Sequence, residues 1–180
     1  NVSQTLLSKL YQSQSVLPVA DYPKRLKACL SSTTNKYDPQ IVVLTPGRFN
    51  SAYYEHAFLA REMNVPLVHG YDLIVENNHV YIQGVRGKVQ VDVIYRRIDD
   101  PFLDPLAFLP DSILGVSGLM SAYRAGNVVI TNAPGTGIAD DKSLYPFVPK
   151  IIEYYLGEKP ILPNVQTYQC GDADELAYVL

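Results

Sequence analysis

The fold of this chain is decided by the stretch Val91-Asp-Val-Ile-Tyr-Arg-Arg-Ile-Asp-Asp-Pro-Phe-Leu-Asp-Pro-Leu106. Its first part is apolar and β-branched, as expected of a strand, and it ends in Arg96 and Arg97. Successive strand residues point to opposite faces of a sheet, so these two side chains face opposite sides. At least one guanidinium therefore emerges at the carboxyl edge of the strand, where open α/β sheets bind ligands.

A guanidinium at that edge suits an anionic ligand, because its planar fork can hold a carboxylate or phosphate through two hydrogen bonds. Asp99 and Asp100 follow within four residues of the arginines. An Arg–Asp network that only ends the strand is the alternative. This segment alone leaves the two interpretations open.

Composition narrows the class of protein. The chain has 180 residues, of which 47% are hydrophobic and 18% charged, with a net charge of −3, as in a globular domain that avoids nucleic acid and anionic membranes. No apolar run approaches the ~20 residues that span a bilayer. Cys29 and Cys170 lie far apart and indicate reduced thiols in a cytoplasmic protein. The three histidines are scattered, so we predict no metal site.

Predicted strands and helices alternate along the chain. We predict strands at 41–44, 66–68, 73–76, 80–82, 89–95 and 128–131, and helices at 21–30, 51–63, 116–125 and 140–156, the last interrupted near its prolines. Asn77-Asn78 indicates a hairpin. This order predicts an α/β fold, namely a Rossmann-like three-layer domain with a mostly parallel sheet and a β-hairpin insertion.

The ends of the chain suggest a segment of something longer. The first residue is Asn1, and the capping box Asp172-Ala-Asp-Glu175 opens a helix that has room for only about two turns. We therefore expect residues 1–37 to form a lead-in segment with the first helix, and residues 38–180 to form the α/β domain, excised from a longer chain.

Two further strand-to-helix loops have an unusual composition, and parallel strands bring such loops to one edge. The first offers Thr45, Gly47, Asn50 and Ser51 before a helix with Glu55 in its first turn. Free N–H groups at a helix start favour an anion. The alternative is local, with Asn50 or Ser51 as the helix cap and Gly47 as the turn residue.

The second loop follows the strand that ends at Thr131. Its candidate residues are Asn132, Gly135, Gly137, Asp141 and Lys142. It is not a P-loop, because Asp141 precedes the lysine, nor a dinucleotide fingerprint, because Asp140 stands in place of the third glycine. A plain turn is again the alternative. Together the three loops predict one pocket, whereas His69-Gly-Tyr-Asp72 is more typical of a solvated turn. We predict no catalytic residue in this chain.

At these loops the sequence resembles the circularly permuted ATP-grasp type 2 family, a relative of glutathionylspermidine synthases. The resemblance lies in Val43-Leu-Thr-Pro-Gly47, Asn50-Ser-Ala-Tyr-Tyr-Glu-His-Ala-Phe-Leu-Ala-Arg61, and residues 67–68, 72–73, 91–106, 114–115, 118–119, 126–142 and 155–158. It implies the pre-ATP-grasp domain of an ATP-dependent carboxylate–amine ligase, with no cofactor bound by this segment. ATP and Mg²⁺ are expected for the parent protein, in a missing ATP-grasp domain of the same chain.

Under that resemblance the edge would bind a small-molecule acid or amine. Arg96 or Arg97 would orient a carboxylate, Asp99 and Asp100 would hold the arginine or receive an amine, and the glycine loops would offer backbone donors. Two alternatives stay open: a non-catalytic binding or scaffold module that retains the fold, and a nucleotide-binding Rossmann domain, which the broken fingerprint disfavours.

Overall fold

The computed structural model describes residues 19–48, 50–85 and 87–180. Most of the predicted lead-in before the first helix lies outside these residues. The chain divides into two compact units, one running to Ala133 and the other from Pro134 to Leu180. The boundaries predicted from the sequence, at 37/38 and with one domain to the end, stay a prediction.

Among the described residues, seven strands and five α-helices form the regular structure. The strands are β1 (Ile41–Leu44), β2 (Leu67–Val68), β3 (Leu73–Glu76), β4 (His79–Gly84), β5 (Gly87–Val91), β6 (Val93–Arg96) and β7 (Val129–Thr131). The helices are α1 (Tyr22–Ser31), α2 (Tyr53–Met63), α3 (Leu119–Arg124), α4 (Val148–Leu156) and α5 (Ala173–Val179).

The first unit is built on a four-stranded parallel sheet in the order β2-β1-β6-β7. Every residue of β1 is buried, because both faces of the sheet are covered. Ile41 and Val43 face α1 and α2, while Val42 and Leu44 face α3 and an antiparallel sheet of β3, β4 and β5. The predicted three-layer α/β fold with a mostly parallel sheet is confirmed.

The β3–β4 hairpin is also where the sequence placed it. Asn77 and Asn78 have φ angles of 50° and 59°, the left-handed values that a two-residue type I′ turn requires. The hairpin belongs to the second sheet and covers one face of the first.

The single strand predicted at 89–95 is wrong. Residues 87–91 pair antiparallel with β4, whereas residues 93–96 pair parallel with β1, so the chain changes sheets at Asp92. The Asp92 carboxylate accepts the Gln40 N–H at 2.9 Å and pairs with Lys36, which stabilises the break. An apolar, alternating pattern does not show a change of partner, because both sheets require the same side-chain period.

The second unit contains α4 and α5. The predicted helix at 140–156 is regular only from Val148, because short 3-10 turns at Thr136–Asp140 and Lys142–Phe147 precede it. As predicted, Gly157 ends α4 with a φ of 66°, and the Asp172 carboxylate caps α5 by accepting two backbone N–H groups. No residue of 134–180 is buried. Within the described ranges, every helix is too short or too polar to cross a membrane.

Candidate functional site

The candidate site is the edge formed by the carboxyl ends of the parallel strands. The Thr45 N–H donates to Val68 O, and the Arg97 N–H donates to Leu44 O, both at 2.9 Å. These hydrogen bonds between neighbouring strands therefore bring together the residues just after β1, β2 and β6. Asn132, just after β7, joins them through Arg96. The starts of all three predicted loops lie at one edge, as expected of parallel strands.

Arg96 is buried, with 8% of its side chain exposed. Its Nε donates to Asn132 O at 2.7 Å, Nη1 to Ile98 O at 2.7 Å and Nη2 to Ala133 O at 3.2 Å. Nη1 also lies 2.7 Å from the Asp100 carboxylate. These bonds join the loop after β6 to the loop after β7. Arg96 thus forms the kind of Arg–Asp network that the sequence left open as the alternative to ligand binding.

Arg97 faces the opposite side of the sheet, as strand alternation predicts. Its Nη2 donates to Glu55 Oε1 at 3.2 Å, and its Cζ lies 5.8 Å from the centroid of the Tyr95 ring. The side chain is 27% exposed. An ion pair and a ring therefore hold the guanidinium in place while part of it faces solvent, which makes Arg97 the better candidate for an anionic ligand.

A buried Thr–His pair anchors the first turn of α2 to the end of β1. Thr45 Oγ1 lies 2.9 Å from His56 Nδ1 and accepts the Gly47 N–H at 3.2 Å. Burial lowers the pKa of His56, the charge of Arg97 lowers it further, and Glu55 opposes them. The sequence analysis did not predict His56 as a site residue. The only sequence feature that could have indicated it is its position one residue after the candidate Glu55.

In the loop between β1 and α2, the candidate residues have the structural roles that the sequence left open as an alternative to ligand binding. Gly47 has a φ of 100°, which favours glycine, and its Cα packs beside the His69 ring. The Asn50 side chain accepts the Ala52 N–H at 2.9 Å, so it supports the start of the helix. Ser51 is exposed. A substrate role for these residues stays a prediction.

The turn after β2 adds a cluster that the sequence did not favour as functional. The His69 ring stacks on Tyr71, with centroids 4.9 Å apart and planes inclined by 6°. Its Nδ1 lies 3.2 Å from Asp72 Oδ2, which also accepts the His69 backbone N–H at 2.8 Å. Tyr53 of α2 lies beside the same ring, with centroids 6.4 Å apart. The turn is thus ordered around an imidazole at the site edge.

The aspartates after Arg97 have separate positions. Asp99 is exposed, and Asp100 pairs with Arg96. Asp104, which is 1% exposed, accepts three backbone N–H groups, from Leu106, Gly118 and Met120, at 2.8–3.0 Å. Its carboxylate shapes the loop before α3.

The remaining candidates lie in the second unit. Gly135 has a φ of 90°, and Gly137 lies in the following 3-10 turn. The Asp141 carboxylate accepts the Ser143 N–H at 2.9 Å, and this bond lowers the pKa of Asp141. Lys142 is exposed and lines a shallow cleft with Asp141 and other residues of the same unit. That these residues complete the three-loop pocket stays a prediction.

The described residues were searched for a cluster of side chains that could bind a metal ion. No three side chains of His, Cys, Asp or Glu come together there in a group that could hold a metal ion.

Comparison with known proteins gives consistent matches over the whole chain. A family model described as "A circularly permuted ATPgrasp" matches residues 1–180. An uncharacterized protein of Mycobacterium tuberculosis is 55% identical over 173 residues, covering 95% of this chain and 31% of the relative. An uncharacterized protein of Synechocystis sp. is 48% identical over 181 residues, covering 99% of this chain and 38% of the relative.

A third relative carries a name for an activity. A Frankia alni protein named "Putative glutamate--cysteine ligase 2-3" is 40% identical over 182 residues, covering 99% of this chain and 21% of the relative. The chain therefore spans less than two fifths of the length of each of these three relatives.

Proposed function

We propose a function from one premise, which is that this chain belongs to the circularly permuted ATP-grasp family. The chain is the substrate-side domain of a larger ATP-dependent ligase that joins a carboxylate to an amine, and it is not catalytic alone. Two Frankia relatives named as glutamate–cysteine ligases support this class of reaction. The observation that carries the proposal is Arg97, a partly exposed guanidinium held at the carboxyl edge of a parallel sheet.

The reaction requires a carboxylate to be held still while it is activated. ATP would supply the phosphoryl group that converts the carboxylate into an acyl phosphate. The amine nitrogen then forms a bond to the carbonyl carbon, the carbon–oxygen bond to phosphate breaks, and phosphate leaves with the electron pair. Arg97 would orient the carboxylate through charge-assisted hydrogen bonds, while the Glu55 carboxylate opposite could receive the ammonium form of the amine.

ATP and Mg²⁺ would be held by the ATP-grasp domain of the same chain. The described edge offers the partly exposed guanidinium of Arg97 and, in the loop after β1, the exposed side chain of Arg48.

The first substrates to test follow from the names and the resemblance above. Glutamate with cysteine comes from the Frankia relatives, and glutathione with spermidine comes from the resemblance to glutathionylspermidine synthases. The full-length parent protein would be incubated with ATP and each pair. Release of ADP and the mass of the amide product would be measured. A full-length protein that binds these compounds and yet forms no amide would support the scaffold alternative instead.

Substitution of Arg97 tests the site. In the full-length protein, Arg97→Ala should raise the KM for the carboxylate substrate about 10- to 100-fold, because charge-assisted hydrogen bonds contribute about 1.5–3 kcal/mol. The KM for ATP should change little. Steady-state kinetics with each substrate varied in turn would measure both constants, and an unchanged carboxylate KM would contradict the assignment.

Arg61 is a matched control for Arg97. It also pairs with a glutamate, Glu62, at 2.9 Å and lies over an aromatic ring, that of Phe58, at 5.5 Å. However, it lies in the last turn of α2, away from the helix start that faces the site. Arg61→Ala should leave both constants unchanged. Arg96→Ala is unsuitable as a control, since it leaves three carbonyls and Asp100 without their buried donor.

A further inference from the structure

We propose that His69, oriented by Asp72, is the general base that takes the proton from the amine substrate. This inference rests on the ligase function proposed above and adds a catalytic residue to it. An amine with a pKa of about 10 is a cation at neutral pH and has no lone pair with which to attack an acyl phosphate. The parent ligase therefore needs a proton acceptor close to the reacting carbonyl.

The hydrogen bonding of His69 defines which ring nitrogen is the base. A carboxylate can only accept hydrogen bonds, so the 3.2 Å contact with Asp72 Oδ2 places the hydrogen on Nδ1. The lone pair is then on Nε2. Among the residues that the structure describes, none forms a hydrogen bond with Nε2. The same Asp72 oxygen accepts the His69 backbone N–H, which fixes the carboxylate relative to the ring.

The Nε2 edge of the ring lies beside the loop after β1. A methyl group added to Gly47 would lie 3.5 Å from Nε2 and 3.3 Å from Cδ2, so this side of the ring faces the loop after β1. That loop lies between the ends of β2 and β6, because β1 pairs with both strands. His69 and Arg97 therefore flank the same loop. Gly47 leaves room beside the imidazole that a larger residue would fill.

The surroundings of the ring suit an ammonium substrate. Tyr71 stacks on the imidazole and is itself 75% exposed, and the Tyr53 ring lies on α2 beside it. The described contacts of His69 include the Asp72 carboxylate and these two phenol rings, and the exposed Arg48 follows Gly47 in the neighbouring loop. An ammonium group beside the imidazole would meet the negative charge of Asp72 and the aromatic rings.

The step conserves atoms and electrons. Nε2 takes a proton from the ammonium nitrogen, and the freed lone pair forms the carbon–nitrogen bond to the acyl phosphate. The carbon–oxygen bond to phosphate then breaks, and phosphate leaves with its electron pair. His69 ends as an imidazolium stabilised by Asp72 and returns its proton to water.

Replacing the amine substrate by hydroxylamine tests the role of the base separately from formation of the acyl phosphate. Hydroxylamine is an uncharged nucleophile at neutral pH and converts an acyl phosphate into a hydroxamate without a base. His69→Asn, in the full-length protein, keeps an amide N–H that can donate to Asp72 but has no basic nitrogen. It should lower amide formation about 100-fold, a typical contribution of general base catalysis, and leave hydroxamate formation within about twofold.

Two further variants sharpen the test. Asp72→Asn retains an oxygen for the His69 backbone N–H but lacks the charge, and should lower amide formation about tenfold or more while sparing the hydroxamate. His79→Asn is the matched control, because His79 lies in the β3–β4 hairpin with its Nδ1 2.9 Å from Asn77 O. It should leave both products unchanged.

The outcomes distinguish the two proposals. Loss of the amide with retention of the hydroxamate supports His69 as the base. Equal retention of both products, or equal loss of both in a folded variant, overturns it and leaves the ligase function standing. Absence of the hydroxamate in the wild type with every acid tested overturns the proposed function and this inference together.

Discussion

Two adjacent arginines show how sequence neighbours acquire different tasks. Arg96 donates to three backbone carbonyls and pairs with Asp100, so its charge is used to join two loops. Arg97 pairs with one glutamate and remains partly exposed. Strand alternation places them on opposite faces of the sheet. Arg96 then meets the loop after β7, and Arg97 meets α2. A substrate carboxylate would find donors on the second guanidinium, not on the first.

His56 gives the folded chain a pH dependence of known sign. Burial lowers its pKa below the ordinary value of 6.5, so the unfolded chain binds a proton there more readily than the folded chain does. Stability should therefore fall as the pH decreases through 6.5, because protonation favours the unfolded state. Urea unfolding followed by circular dichroism between pH 8 and 5 would measure this. The sequence contains no tryptophan for fluorescence.

Two variants isolate the histidine responsible. His56→Gln should reduce the slope of stability against pH, whereas His79→Gln should leave it unchanged, because no buried partner depends on that hairpin ring. An identical slope in wild type and His56→Gln would show that other groups cause the pH dependence.

At the scale of elements, the loop between β6 and α3 is held by one carboxylate and two close backbone approaches. A methyl group on Gly115 would lie 2.2 Å from Phe102 O, and one on Gly70 would lie 2.3 Å from the Gly115 and Leu114 carbonyl oxygens. Asp104 accepts backbone N–H groups on both sides of this loop. The loop is therefore closely packed around Leu103, Gly115 and Val116, and this part lies against the turn that carries His69.

Removal of this carboxylate should unfold the loop. Asp104→Ala leaves three backbone N–H groups without their acceptor, and should lower the free energy of unfolding by about 3 kcal/mol or more. Asp99→Ala is the control. Its carboxylate is exposed and makes no capping bond, so the change should stay within about 0.5 kcal/mol. Urea midpoints of both variants decide the point, and equal midpoints would contradict it.

At the scale of the whole molecule, the two units differ in how much they bury. The first unit has a core on each face of its parallel sheet. The second has helices and turns but no buried residue. Burial of apolar surface is the main source of folding stability, so the second unit gains little stabilisation from its own core.

Hydrogen exchange should report this difference. Backbone amides of β1 and β6 should exchange most slowly, and those of α4 should exchange far faster than those of α2, a helix of similar length. Measurement by mass spectrometry on peptides from each element would show it. Slow exchange in α4 comparable to that in α2 would mean that the second unit is stabilised in a way its burial does not indicate.

Most of the elements could be predicted from the sequence, because their causes are local. Ile41-Val-Val-Leu44 has the apolar continuity of a doubly covered strand, Asn77-Asn78 has the φ preference of a tight hairpin turn, and Gly157 can end a helix. Arg96 and Arg97 were placed on opposite faces by the period of the strand alone. The family resemblance was also confirmed over the full chain.

Only the tertiary structure shows which residues contact each other across the fold. The change of sheet at Asp92, the Asn132 and Ala133 carbonyls bound by Arg96, and the bond from the Met120 N–H to Asp104 all join residues that are far apart in the chain. His69 was interpreted as a solvated turn, since its turn residues show only local preference. Its place beside Gly47 and Tyr53 depends on β2 pairing with β1 and on α2 packing above them. Local propensity determines which element forms, whereas hydrogen bonding and packing between distant segments determine which side chains meet.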